Sequence, residues 1–160
     1  MKHEAGFPLG LGGDFETVTR DQLIANAMRF KLLFQPGARV SYSNTGYAQL
    51  AAIIETVTGK SYDKYVRDNI LIPLGLTRTG FHLPNFDRRQ LAGYSTGGKD
   101  AGTMLSKPHG SDGPWWNLRG NGGMLSTVAD MHAFYKALFE TDNQEARRPG
   151  RRERRVGPTS

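Results

Sequence analysis

Apolar residues recur at helical spacing in four stretches of the chain. The first stretch follows Thr19, which suits an N-cap, and the turn at Pro36-Gly37 ends it. Its apolar positions are Leu23, Ala27, Phe30 and Phe34. A second helix is predicted over 44–58, where Gly59 can form the C-terminal cap. Its predicted buried stripe consists of Tyr47, Leu50, Ala51, Ile54 and Val57.

The third and fourth helices are predicted in the same way. A helix over 61–71 is stopped by Pro73, because proline cannot continue the hydrogen-bond ladder. Its apolar face consists of Tyr62, Tyr65, Val66 and Ile70. The last helix opens after Ser126 or Thr127, and Asp130 lies in its first turn, where a carboxylate suits the free amides. Its predicted buried stripe consists of Val128, Met131, Tyr135, Leu138 and Phe139.

The region 74–123 has frequent Gly and Pro and little periodicity, so it predicts loops with short strands. Within it, Trp115 and Trp116 have two open interpretations, since they suit either the wall of a substrate cleft or anchors in the core. The glycine-rich stretch 120–123 is predicted to be a turn. We therefore expect one partial domain over 1–143 and a disordered basic tail over 144–160.

Charge is concentrated at the end of the chain. The net charge is +6, and residues 144–160 hold six arginines against two glutamates. Such a tail could contact the phosphates of a nucleic acid, but a solvated, disordered end is the simpler interpretation, so no nucleic-acid partner is expected apart from this weak exception. No run of about 18 apolar residues predicts a membrane span, and the first residues show no signal peptide.

Metal and cofactor chemistry has little support in the sequence. The absence of cysteine excludes disulfides and thiolate ligands, and leaves the compartment open. The four histidines show no paired ligand spacing, so we expect no metal site and no organic cofactor.

Several ordered motifs resemble those of the serine β-lactamase-related hydrolases, a family that includes class C β-lactamases, esterases and D-alanyl peptidases that bind penicillin. The central motif is Tyr42-Ser43-Asn44, directly before the second helix. The other pieces are Pro36-Gly37, Gly46-Tyr47, Pro73-Leu74-Gly75-Leu76 and Gly122-Gly123-Met124-Leu125-Ser126-Thr127. The opening His3-Glu4-Ala5-Gly6-Phe7-Pro8 resembles the family's His-Thr-Ser-Gly-Leu-Pro. The resemblance covers roughly residues 3–140.

The resemblance implies an α/β (α+β) architecture, of which this chain holds the mostly helical portion, with the sheet domain largely missing. It also implies acyl transfer from an ester, amide or β-lactam to a serine and then to water. Tyr42 matches the catalytic tyrosine that helps to activate the serine and protonates the leaving group, and Asn44 matches the substrate-binding asparagine. A free tyrosine, with a pKa of about 10, acts as a base only where cations stabilise the phenolate. The family is often periplasmic or secreted.

Two further family motifs, Ser-x-x-Lys and a Lys- or His-Thr-Gly strand, have only misplaced look-alikes here. Ser61 and Lys64 come after the tyrosine motif instead of before it, so Ser61 is predicted to be an N-cap, and the Thr79-Gly80 pair lies in a turn segment. We therefore expect a fragment whose nucleophile lies upstream and whose tail is foreign, such as a frame-shifted read-through. The alternative is a catalytically inert truncated member that at most binds ligands or partners. Without the sheet, helical stripes would face solvent and favour aggregation.

Overall fold

A computed structural model describes residues 2–81, 95–100, 102–111 and 113–146. The helices are α1 (Arg20–Arg29), α2 (Asn44–Thr58), α3 (Tyr62–Val66) and α4 (Val128–Ala146), and a π-helical turn (Arg67–Leu71) continues α3. The short strands are β1 (Ser95–Thr96), β2 (Lys99–Asp100), β3 (His109–Gly110) and β4 (Gly113–Pro114), with a 3₁₀ turn at Met104–Ser106. β1 pairs with β2 and β3 with β4 as antiparallel hairpins. Among the described residues the predicted mostly helical architecture is confirmed.

The first helix starts as predicted and ends earlier. Thr19 and Gln22 form a reciprocal capping box at its N-terminus, and Phe30 is its C-cap. The predicted continuation to Phe34 is wrong, because beyond Phe30 the backbone leaves the helical path and the Leu33 amide donates to the Gly6 carbonyl. The segment after α1 therefore lies along the N-terminal loop.

The second helix has the predicted bounds but a different buried face. Ser43 caps its N-terminus, and Gly59 ends it in the left-handed conformation at φ 66°. The buried residues are Thr45, Ala48, Ala51 and Ala52. Of the predicted stripe only Ala51 is buried, and Val57 is 74% exposed. Small side chains are needed here because Gly120 approaches so closely that a Cβ on it would lie 2.6 Å from the Ala51 Cβ.

The main core joins α1, α2 and the loop before Gly120. Leu23 of α1 and Trp116 of the loop pack on the three alanines of α2. Trp116 is thus a core anchor, which decides the open interpretation for this residue, and Trp115 is half-buried. The guanidinium of Arg119 is buried as well, donating from Nε and Nη2 to the Pro114 carbonyl and stacking over Trp116.

The third helix ends in an irregular turn that changes its buried face. Ser61 caps α3 as predicted, since its hydroxyl accepts from the Lys64 amide at 3.3 Å. The π turn adds a residue to the repeat, so Leu71 is buried and the predicted Ile70 is exposed. Leu71 forms a second cluster with Val66 and Leu76, against which Phe134 packs.

The fourth helix begins where predicted, but its predicted buried stripe is exposed. The Thr127 hydroxyl accepts from the Asp130 amide at 3.2 Å and caps the helix. All five predicted stripe residues are exposed, by fractions that run from 48% at Leu138 to 89% at Val128. Phe134 of α4 packs against the second cluster, and Asp130 in the first turn accepts hydrogen bonds from Arg78 and Thr79. The helix is described to Ala146, while residues 147–160 lie outside the described part, so the boundary at 143 and the disordered tail stay predictions.

Candidate active site

The N-terminal loop lies along the segment that leads into α2 and fixes its backbone. The Ser41 amide donates to the His3 carbonyl at 2.9 Å, and the Ser43 amide donates to His3 Nδ1 at 3.1 Å. One residue further, the Asn44 amide donates to the Leu9 carbonyl at 2.8 Å. The backbone on both sides of Tyr42 is therefore hydrogen-bonded to the same loop.

Tyr42 projects from this fixed segment and is 60% exposed. Its ring contacts the imidazole of His3, with 4.5 Å between centroids and 36° between planes. The same imidazole also contacts the ring of Tyr47, at 4.8 Å. The side chain predicted to be catalytic is accessible and rests on a histidine for which the sequence predicted no role at the site.

Ser43, the central residue of the motif, has a structural role. It is buried, and its hydroxyl donates to the Pro8 carbonyl at 2.7 Å while accepting from the Gly46 amide at 3.0 Å. Both hydrogen-bonding capacities of the hydroxyl are thereby engaged in capping α2 and holding the N-terminal loop.

Asn44, the predicted substrate-binding residue, opens α2 and is half-buried. Its carbonyl accepts from Asn121 Nδ2 at 3.3 Å, and the same nitrogen donates to the Asn117 carbonyl at 2.9 Å. Within the described part of the chain, Asn121 Oδ1 and Thr45 Oγ1 are buried without a hydrogen-bond partner. Sequence reasoning assigned Asn121 only to a turn, because a contact over 77 residues leaves no local signal.

The misplaced Ser-x-x-Lys pair has a local structural role. While the Ser61 hydroxyl caps α3, the Lys64 ammonium lies 2.6 Å from Asp68 Oδ2. The hydrogen bond from Lys64 lowers the pKa of Asp68, and the neighbouring Arg67 adds to this effect. The Lys64 charge thus belongs to a surface ion pair on its own helix.

The misplaced Thr-Gly pair holds the start of α4. The Thr79 hydroxyl lies 2.8 Å from both Asp130 Oδ2 and Ser126 Oγ. The Arg78 amide also donates to Asp130 Oδ2, and Gly80 forms a backbone bridge with Leu125. These contacts hold the turn against the start of α4.

A polar pocket of about 280 Å³ lies outside the tyrosine motif. Its lining includes Arg20, Glu55, Lys60, Trp116 and Arg119. Arg20 and Glu55 form an ion pair at 3.3 Å, and Glu55 also accepts from the Tyr62 amide at 2.7 Å. Among the described residues no group of three His, Asp or Glu side chains could hold a metal ion, and no described helix is long and apolar enough to span a membrane.

The helical core, with the capped α2 presenting Tyr42 and Asn44 at its start, has the architecture of the helical part of a β-lactamase-like fold. The sequence profile described as "Beta-lactamase" matches residues 1–160. The chain therefore belongs to the Beta-lactamase family. This finding confirms the resemblance and the expected fold.

Relatives and solved structures agree with the family assignment. The chain is 28% identical over 161 residues to the "Putative D-alanyl-D-alanine carboxypeptidase" of Escherichia coli K12, an alignment covering 87% of this chain and 37% of that protein. The octameric penicillin-binding protein homologue from Pyrococcus abyssi superposes with a TM-score of 0.66 and 30% identity, covering 88% of this chain and 34% of that one. A D-stereospecific amidohydrolase from Streptomyces superposes with a TM-score of 0.58 and 32% identity, covering 78% of this chain and 36% of that one. The chain thus spans little more than a third of each, and matches part of a β-lactamase-family hydrolase.

Proposed function

We propose that this chain supplies the tyrosine and asparagine of a serine hydrolase active site, which transfers an acyl group from a substrate to a serine and then to water. Tyr42 helps to activate the serine and protonates the leaving group, and Asn44 hydrogen-bonds the substrate. One observation carries the proposal: an exposed phenol projects from a backbone that is hydrogen-bonded on both sides of it. Such a support holds a reactive group in one place without covering it.

The descriptions of two relatives support a proposal for the substrate class. The Streptomyces neighbour is a D-stereospecific amidohydrolase, and the Escherichia coli relative carries the description "Putative D-alanyl-D-alanine carboxypeptidase". Both descriptions share an amide bond beside a D-configured residue. We propose the same substrate class for the parent of this chain, with esters and β-lactams as related acyl donors.

The attacking serine is neither Ser43 nor Ser61 in this proposal. The first hydroxyl is buried between Pro8 and Gly46, and the second caps α3 while its neighbour Lys64 pairs with Asp68. A serine needs an adjacent base to become a good nucleophile, and neither serine has one at hydrogen-bond distance in these contacts. We infer that the described residues supply part of the site and do not turn over substrate by themselves.

A chimera tests the role of the motif. The segment of the Streptomyces amidohydrolase that superposes on this chain is replaced by the matching residues, Tyr42 and Asn44 included. The chimera should hydrolyse a D-amino acid amide, and Tyr42→Phe should lower kcat by about 10²–10⁴-fold through loss of proton transfer. Asn44→Ala should lower kcat/KM by about 10–100-fold through loss of a substrate hydrogen bond.

Tyr65→Phe, a tyrosine change outside the motif, is the matched control and should leave the kinetics unchanged. An active chimera that tolerates Tyr42→Phe would remove Tyr42 from the mechanism. An inactive but folded chimera would favour the inert, ligand-binding alternative.

The chain alone provides the complementary test. Purified protein incubated with nitrocefin and with p-nitrophenyl butyrate should show no turnover above the buffer rate. Turnover that disappears in Ser61→Ala would assign the nucleophile to Ser61 and overturn the structural role given to it here.

A further inference from the structure

His3 has a backbone conformation that is uncommon among non-glycine residues. It is the non-glycine residue with positive φ in the described part of the chain, at 56°. A residue with a Cβ adopts this left-handed conformation only where its surroundings fix it. The contacts of His3 should therefore account for the conformation.

Three of those contacts lie at Tyr42 or at the residues on either side of it. The His3 carbonyl accepts from the first amide and its Nδ1 accepts from the second, so His3 holds the backbone on both sides of Tyr42. Its imidazole also contacts the Tyr42 ring at 4.5 Å. Because Nδ1 accepts a hydrogen bond, the neutral ring carries its proton on Nε2.

We propose that His3 is a positioning residue for Tyr42, setting both its backbone and the direction of its phenol. An exposed tyrosine on an otherwise free segment samples several χ1 rotamers. The His3 ring, wedged between Tyr42 and Tyr47, removes some of them. The catalytic meaning of this positioning rests on the proposed function of Tyr42, whereas the positioning itself does not.

Two substitutions separate the hydrogen bond from the ring contact. His3→Asn keeps a side-chain acceptor near Nδ1 and tolerates the left-handed backbone, but it removes the ring. His3→Phe keeps a ring and removes the acceptor. If His3 only tethered the N-terminal loop, neither substitution would change the orientation of the Tyr42 ring.

The measurement uses the full chain labelled with ¹⁵N-histidine and ¹³C-tyrosine, in solution or by magic-angle spinning of sedimented protein. Tyr42 signals are assigned with Tyr42→Phe. In the unsubstituted chain, Nδ1 should show the chemical shift of an unprotonated acceptor, and Tyr42 should show a ring-current shift. His3→Asn should lose that ring-current shift and keep the slow exchange of the Ser43 amide. His3→Phe should keep the ring-current shift and exchange that amide about 5–10-fold faster.

Tyr42 signals that are the same in all three proteins, or a protonated Nδ1 in the unsubstituted chain, would overturn the proposal. In the chimera, His3→Asn should lower kcat by about 10–100-fold with KM unchanged, because a small misplacement affects the reacting group more than binding. If the chimera is inactive while the labelled chain shows the expected pattern, the proposed function fails and the positioning role stands.

Discussion

The segment leading into α2 and the helix α4 differ in how far the rest of the described chain contacts them. Around Tyr42 each neighbouring amide is hydrogen-bonded to the N-terminal loop, and α2 packs through small residues against Gly120. On α4 the predicted apolar stripe is exposed, and among the α4 side chains that the structure describes, Phe134 is the one that packs on a core cluster. The first region is fixed by contacts within the described chain, whereas the apolar face of the second is not covered by them.

The largest predicted effect is at Gly120, which packs closely against α2. A Cβ there would lie 2.6 Å from the Ala51 Cβ and 3.0 Å from the Tyr47 carbonyl oxygen, at φ +84°. Gly120→Ala should lower the free energy of unfolding by about 2–5 kcal/mol, through left-handed strain and overpacking together. Urea denaturation followed by circular dichroism measures it.

Gly37→Ala is the matched control, since Gly37 has φ +86° and nothing within 4 Å of its built Cβ. Gly37→Ala should lower the free energy of unfolding by only about 1–2 kcal/mol, from left-handed backbone strain alone. Equal losses for the two variants would show that the close approach of Gly120 to α2 does not stabilise the fold.

A smaller effect is expected for the two helix caps, one in each region. Ser43→Ala removes the α2 cap and leaves the carbonyl of the half-buried Pro8 without its donor, so it should lower the free energy of unfolding by about 1–3 kcal/mol. Thr127→Ala removes the α4 cap alone and should cost about 0.5–1 kcal/mol. Thermal unfolding of both variants compares them, and a larger loss for Thr127→Ala would contradict the ranking of the two regions.

Helix positions were predictable from the sequence, whereas buried faces often were not. Thr19, Gly59 and Ser61 are local signals that act on the nearest backbone groups, so they located ends of helices correctly. Burial of Val57 or Val128 depends on which segment packs against the helix, and spacing alone does not specify that partner. The π turn is a similar case. It moves the buried position from Ile70 to Leu71, and nothing in the apolar pattern predicts the added residue.

The candidate site was predictable to the same extent. Tyr42 and Asn44 were proposed because their motif resembles that of the family, and their roles stay predictions. His3 and Asn121 reach that motif over 40 and 77 residues, so only the tertiary structure brings them to it.

The exposed face of α4 predicts an effect on association more than on stability. Met131→Gln combined with Leu138→Gln should change the free energy of unfolding by no more than about 0.5 kcal/mol, because both side chains are about half exposed or more. The double variant should also self-associate less than the unsubstituted chain in sedimentation velocity runs. Leu76→Gln, which places a polar group in the second cluster, is the control and should destabilise strongly. If the double variant associates as much as the unsubstituted chain, the exposed face of α4 does not cause the self-association.

The smallest expected effect concerns Tyr62, which packs against both core clusters and so joins the two regions. Burial raises the pKa of Tyr62 above 10.0, because the phenolate loses hydration in the core. The folded state thus holds the proton more tightly than the unfolded state, so stability is full below pH 10 and falls as the pH rises above it. Tyr62→Phe should remove this part of the alkaline loss, whereas Tyr65→Phe on the same helix should retain it. Urea midpoints measured from pH 8 upward give the comparison, and parallel curves for the unsubstituted chain and Tyr62→Phe would show that ionisation of Tyr62 is not coupled to unfolding.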